Sequence, residues 1–173
     1  MPGRRVVYWD SCIFIAWLKD EHRANPLDMD GIAYLVDEWD AGRLVIATST
    51  ITRIEVLDSR LMSEQAAQFQ ACLRRSTIRV DGVTSAVADL AHQIRDHYPT
   101  PRITTPDAIH LATAIAIPCE TFFTFDGADP VDKKVRKILP LGPTIAGRHT
   151  LDTKAPRRPV SSQGVLPLLP PKK

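Results

Sequence analysis

Four consecutive apolar residues, Val6-Val7-Tyr8-Trp9, stop abruptly at Asp10, and similar endings recur along the chain. Thr121-Phe122-Phe123-Thr124-Phe125 ends at Asp126, and Leu44-Val45-Ile46-Ala47 runs into the hydroxyl triplet Thr48-Ser49-Thr50. Short apolar runs without polar alternation predict strands covered on both faces. Stretches of helical period separate them. Residues 11–18 read as a helix, as do 29–41, where Met29, Ile32, Val36 and Trp39 share a face and Gly42 is a C-terminal cap. A helix carrying Ile51, Ile54 and Val56 follows, then one opened by Ser63, then a short strand around Ile78-Arg79-Val80. Thr84 or Ser85 caps a helix with Val87, Leu90, Ala91, Ile94 and Tyr98 on one side. Thr105-Pro106-Asp107 has the grammar of a helix start, with Thr as N-cap, Pro at the first position and an acid in the first turn. A short helix over 130–138 and a weak strand at Thr144-Ile145 complete the body. Strands alternating with helices across short connections predict an α/β fold with a largely parallel sheet.

That architecture says where chemistry sits. Ligands of open parallel sheets bind beyond the carboxyl ends of the strands. Asp10 and Asp126 are at two such ends, Asp107 is in the first turn of its helix, and Glu55 follows the second strand among apolar neighbours. Each acid has a plainer explanation by itself. Asp10 can cap the first helix, Asp107 can complement a helix dipole, and Glu55 can pair with Arg53 or Arg60. Asp126 and Asp129 can be turn residues around Gly127. Jointly, the carboxylates predict a site. Converging carboxylates repel and are costly to bury ionised, so protons or a cation must compensate them. Oxygen ligation suits a hard divalent ion, Mg²⁺ or Mn²⁺. The hydroxyls of Ser11 and Thr124 beside the acids fit a supporting role that orients ligands.

Other chemistries lack their residues. The five histidines form no H-E-x-x-H pattern, and neither a G-x-S-x-G elbow nor a glycine-rich phosphate loop is present. His110, three residues after Asp107 on the same helical face, is expected to be a packed residue. Cys12 and the three tryptophans are read as core.

Composition enters here. With 44% hydrophobic and 24% charged residues in 173, the chain has the makeup of a folded domain. No apolar run approaches the ~18 residues of a membrane span, and the apolar stretch near the start is too short for a secretory signal. Three scattered cysteines without a C-x-x-C pair point to a reducing cytoplasm rather than a disulfide framework. The formal net charge is +2. Residues 148–173, however, hold six Lys or Arg and one acid, and so carry +5, leaving −3 on residues 1–147. The expected organisation is a domain over 1–147 followed by a basic, proline-rich, disordered tail over 148–173.

Four blocks of the chain resemble the PIN-domain family. Val6-Val7-Tyr8-Trp9-Asp10-Ser11 resembles its opening strand with Asp-Ser/Thr, and Ser49-Thr50-Ile51-Thr52-Arg53-Ile54-Glu55-Val56 its second block. Thr105-Pro106-Asp107-Ala108-Ile109-His110-Leu111-Ala112-Thr113-Ala114 is the most specific match, and Phe122-Phe123-Thr124-Phe125-Asp126 resembles the fourth block. The resemblance covers roughly residues 4–146. It implies a three-layer α/β fold, a mostly parallel five-stranded sheet flanked by helices, and a metal-dependent ribonuclease most similar to VapC-type toxins of toxin–antitoxin pairs. Carried over residue by residue, it implies an acidic site of Asp10, Glu55, Asp107 and Asp126. Asp10, Asp107 and Asp126 would hold Mg²⁺ or Mn²⁺, supported by Ser11 and Thr124. The fourth block reads Phe-Asp-Gly-Ala-Asp, which leaves the division of roles between Asp126 and Asp129 open. The implied partners are RNA, an antitoxin covering the crevice, and a second copy in a homodimer.

The functional expectation is an endoribonuclease that cleaves phosphodiester bonds with a metal-activated water. Arg53, Arg102, Lys133 and Lys134 are the candidate holders of the RNA backbone, which a negative body needs. The rival is a non-catalytic PIN-like module that binds RNA or protein. A phosphotransfer enzyme with Asp10 as nucleophile ranks last, because Cys12 stands where its second acid is needed.

Overall fold

The computed structural model describes residues 4–129 and 133–160. In chain order the elements are β1 (Arg5–Trp9), α1 (Ser11–Lys19), α2 (Leu27–Asp40), β2 (Leu44–Ser49), α3 (Thr52–Asp58), α4 (Ser63–Cys72) and β3 (Ile78–Asp81). Then come α5 (Ser85–His97), α6 (Thr105–Ala116), β4 (Thr121–Phe123), a 3-10 turn at Leu139–Leu141, β5 (Thr144–Ile145), β6 (His149–Thr150) and β7 (Thr153–Lys154). The main sheet has the order β3-β2-β1-β4-β7, with every neighbouring pair parallel.

Strand periodicity sorts the side chains into two cores. Val7 and Trp9 of β1, Leu44 and Ile46 of β2, and Phe123 of β4 face one side, against α1–α4. Tyr8, Ala47 and Phe122 face the other side, against α5 and α6. Because both faces are covered, the central strands read as unbroken apolar runs. The sheet is therefore the middle layer of three, as the sequence predicts.

The differences lie in the last third. The strand expected over 121–125 is regular only to Phe123, so Asp126 follows it at a distance of three residues. Residues 133–138 form no helix. Their polar groups serve other partners instead: Ile138 N–H donates to Asp126 at 2.7 Å, and the Arg136 side chain donates to the carbonyls of Thr100 and Pro101. Residues 130–132 of that expected helix lie outside the described residues. Thr144-Ile145 is a strand, but it pairs antiparallel with β6 rather than joining the main sheet.

The fifth strand is β7, beyond the expected end of the body at 147. It pairs with β4 through Phe122↔Thr153 and Phe123↔Lys154. The chain then crosses α2. Gly31 lies so close to Pro156 that a Cβ there would come within 2.3 Å of the Pro156 carbonyl oxygen. Arg157 pairs with buried Asp28 at 2.6 Å, and Arg158 pairs with Asp30 at 3.1 Å. Residues 148–158 thus belong to the body: Arg157 and Arg158 pair with α2 acids, Lys154 with Asp152, and Arg148 bonds Gln93 of α5. The remainder of the predicted tail, 161–173, lies outside the described residues.

Candidate active site

At the carboxyl edge of the sheet, the end of β1 and the starts of α1, α3 and α6 meet. Asp10 caps α1, and its Oδ1 accepts from Ser11 N–H at 2.7 Å. Oδ2 accepts from the Thr124 hydroxyl at 2.7 Å, with the Cys12 thiol at 3.3 Å. The capping explanation for Asp10 therefore holds alongside the site explanation. Asp107 sits one turn into α6, whose N-cap is Thr104 rather than Thr105. Thr104 and Asp107 bond reciprocally: the Thr104 hydroxyl accepts from Asp107 N–H at 3.2 Å and donates to the Asp107 carboxylate.

Glu55 does not pair with Arg53 or Arg60. Its Oε2 accepts from the Ser11 hydroxyl at 2.5 Å and lies 2.7 Å from His110 Nε2. Asp126 accepts from Ile138 N–H, and its own N–H donates to the Thr124 hydroxyl at 3.0 Å. Gly127, at φ 97°, makes the turn that follows; a Cβ there would strike the Pro140 ring at 2.7 Å. This tight turn helps bring Lys137 back to within 3.2 Å of Asp126 Oδ1.

Asp10, Glu55, Asp107 and Asp126 line one open cleft of about 370 Å³, together with Ser11, Cys12, Ile15, Arg23 and Phe125. Thr124 braces it from behind through Asp10. A slightly larger cavity of about 440 Å³, lined by Trp17, Asp20 and α2 residues that include Asp30 and Asp37, contains none of these four acids and lies away from the carboxyl edge of the sheet. Asp129 is on the rim and pairs with Arg23 at 3.4 Å, while Arg23 also stacks on Phe125 at 3.8 Å. Arg53, Arg102, Lys133 and Lys134 are exposed and do not line the cleft. Among the described residues, Arg23 lines the cleft and Lys137 pairs with Asp126 at its edge, neither of which stood out in the sequence.

The electrostatics show the acids sensing one another. Burial, aided by the charges of Asp10 and Asp126, pushes the Asp107 carboxyl up to about 6, against the hydrogen bond from Thr104. Burial works to raise Glu55 too, but the hydrogen bonds from His110 and Ser11 outweigh it and hold the group below the usual range. Burial works to lower His110, yet Asp10, Glu55 and Asp107 together raise it. Burial drives the Cys12 thiol well up, so it is no nucleophile.

Four carboxylates offer hard oxygen donors, and Asp107 is raised first by burial and then by the charges of Asp10 and Asp126, which a cation would offset. This chemistry fits Mg²⁺ or Mn²⁺. Among the described residues, no group of three or more His, Cys, Asp or Glu is placed to hold an ion by itself. A small ion that retains several waters and takes only one or two carboxylates directly is compatible with that spacing.

The PIN domain profile matches residues 7–128. No curated protein matches the chain. Among solved structures, VapC20 of Mycobacterium tuberculosis, a Sarcin-Ricin loop cleaving toxin, superposes with a TM-score of 0.54 at 18% identity, covering 70% of this chain and 90% of its own. A toxin–antitoxin complex from Klebsiella pneumoniae gives 0.50 at 22%, covering 75% and 98%. VapBC2 from Rickettsia felis, bound to a promoter DNA fragment, gives 0.51 at 17%, covering 69% and 86%. These likenesses show the fold that the profile and the sheet order already describe. The chain belongs to the PIN-domain family.

Proposed function

We propose that the protein is a Mg²⁺- or Mn²⁺-dependent endoribonuclease, acting as the toxin of a toxin–antitoxin pair. The observation that carries this reading is the gathering of Asp10, Glu55, Asp107 and Asp126 around one cleft at the carboxyl edge of the sheet. Asp10, Asp107 and Asp126 would hold the ion, directly or through water, and Glu55 would orient the water that attacks phosphorus. Such an ion would supply a lowered pKa for that water and a charge to offset that on the phosphoryl oxygen. Ser11 fixes Glu55, and Thr124 fixes Asp10, by the hydrogen bonds described above. Arg23 and Lys137 are the cations nearest the scissile phosphate. Arg53, Arg102, Lys133 and Lys134 act further out, on the flanking backbone.

The toxin assignment is supported by the solved relatives, one a toxin and another a toxin–antitoxin complex. On this reading a small antitoxin covers the cleft with a basic residue directed at the acids, and the protein is a homodimer that acts in the cytoplasm. Among the described residues no helix is long and apolar enough to cross a membrane.

The test is incubation of the purified protein with RNA in Mg²⁺, in Mn²⁺ and in EDTA. Internal cleavage with either ion and none in EDTA is the expected result. Cleavage that EDTA leaves intact overturns the metal-dependent mechanism. Absence of cleavage, together with RNA binding, identifies the non-catalytic module instead.

A further inference from the structure

His110 is buried beside the cleft, at 1% exposure, yet it bonds to polar groups of three elements and lies 3.5 Å from Asp10 Oδ1. Its Nδ1 lies 2.8 Å from the Tyr8 hydroxyl of β1. Its Nε2 lies 2.7 Å from Glu55 Oε2 of α3 and 3.1 Å from the Ser11 hydroxyl of α1. The imidazole edge also meets the Tyr8 ring at 78° with centroids 5.9 Å apart, so sheet packing fixes the ring plane. An ionised carboxylate only accepts hydrogen bonds, so Nε2 must carry a proton and donate it to Glu55. Ser11 spends its single hydroxyl proton on the same Oε2. With Oε2 engaged twice, Oε1 is the oxygen left to the cleft.

These contacts separate His110 from an ordinary core histidine. An imidazole satisfied by core packing would need no bond to a carboxylate that lines an open cleft. This one runs from the interior of the sheet, through Tyr8, to an acid of the site. Of the site's acids Glu55 is its nearest partner, at 2.7 Å through the rear oxygen against 3.5 Å to Asp10 Oδ1, and the imidazole does not line the cleft itself.

We infer that His110 is a positioning residue: anchored by Tyr8, it locks Glu55 in one rotamer so that Oε1 faces the reacting water. It makes no contact with substrate and transfers no proton to it. The inference rests on the reading of the cleft as a phosphodiester-cleaving site.

The test is a double-mutant cycle on cleavage of a labelled RNA that the wild type cuts, with tautomer NMR on the metal-free protein. His110→Ala is expected to lower kcat about 10- to 100-fold, the range for an outer-shell partner, with KM changed less than about 3-fold. His110→Gln, whose amide N–H reaches about as far as Nε2, recovers most of that loss. In a Glu55→Gln background, His110→Ala adds little further loss, because Glu55, at 2.7 Å, is the carboxylate it holds, while Asp10 at 3.5 Å is a longer approach. Full additivity in the cycle, or no recovery by glutamine, overturns the inference and assigns His110 to packing alone. NMR is expected to find Nε2 protonated, its proton shifting in Glu55→Gln; a bare Nε2 overturns the inference whatever the activity. If the wild type cuts no RNA, the proposed function fails, and the NMR result still decides whether His110 is bonded to Glu55.

Discussion

Lys137 Nζ lies 3.2 Å from Asp126 Oδ1, so the acidic cleft has a cation of this same chain at its edge. The ammonium occupies part of the electrostatic space that a divalent ion needs. Asp126 thus has two structural partners, accepting from the Ile138 backbone N–H through Oδ2 and facing the Lys137 ammonium through Oδ1, besides the proposed part in holding an ion.

Replacing Lys137 by Met is therefore expected to tighten Mn²⁺ binding by about 3- to 10-fold, the effect of removing one partly screened charge worth ~1 kcal/mol. Isothermal calorimetry measures it directly. Weaker binding in the variant would show instead that Lys137 is required to hold Asp126 in place.

Asp107 supplies a pH dependence of known sign. Its carboxyl is raised from 3.8 to about 6, so the folded metal-free protein prefers it protonated. The stability it contributes is full below the unfolded value and is lost as pH rises through about 6. Asp107→Asn removes that loss, so the variant should gain on the order of 2 kcal/mol relative to wild type between about pH 4 and pH 7. Urea unfolding at the two pH values checks the difference. Over the same interval, Mn²⁺ affinity of the wild type should rise with pH as the competing proton leaves.

Gly31 tests the seating of residues 155–158 through the sign of one substitution. In a free helix, Gly→Ala stabilises by about 1 kcal/mol. Here the new Cβ would stand 2.3 Å from the Pro156 carbonyl oxygen and 2.7 Å from Arg157 N. Both are backbone atoms that cannot swing aside. Gly31→Ala is expected to lower stability by about 1–3 kcal/mol, the usual cost of overpacking. A higher Tm would mean that the segment does not lie on α2.

Thr124 donates to Asp10 Oδ2 and accepts from Asp126 N–H, and so links two acids of the cleft. Thr124→Val keeps the shape but leaves a buried carboxylate oxygen short of a donor. The expected cost is about 1–3 kcal/mol in thermal or urea unfolding, with weaker Mn²⁺ binding besides. Thr124→Ser, which restores the hydroxyl, should recover both.

Much of the site was legible because it lies at ends of elements. An apolar run stopped by Asp10 marks both a strand and the position of its acid, and Pro106 with Asp107 marks a helix start. What escaped depends on contacts between distant residues. β7 is two residues long and polar, with no apolar run to announce it; it exists because β4 offers it an edge. The basic residues 157 and 158 looked like a solvated tail because their partners, Asp28 and Asp30, are some 130 positions away. Lys137 lies eleven residues after Asp126, and no spacing rule in the sequence announces their contact. His110 left one available signal, its place three residues after Asp107 on the same helical face. Its bonds to Tyr8 and Glu55 needed the tertiary structure.

The central claim, that these carboxylates form one metal-dependent catalytic site, is tested most directly by the rate of RNA cleavage as a function of Mn²⁺ in wild type and Asp10→Asn. The wild-type rate should rise to saturation with Mn²⁺ and vanish in EDTA. In Asp10→Asn it should fall by at least about 100-fold at every Mn²⁺ concentration, as expected for loss of a metal-holding group. Equal rates in the two proteins, unaffected by EDTA, would contradict the account.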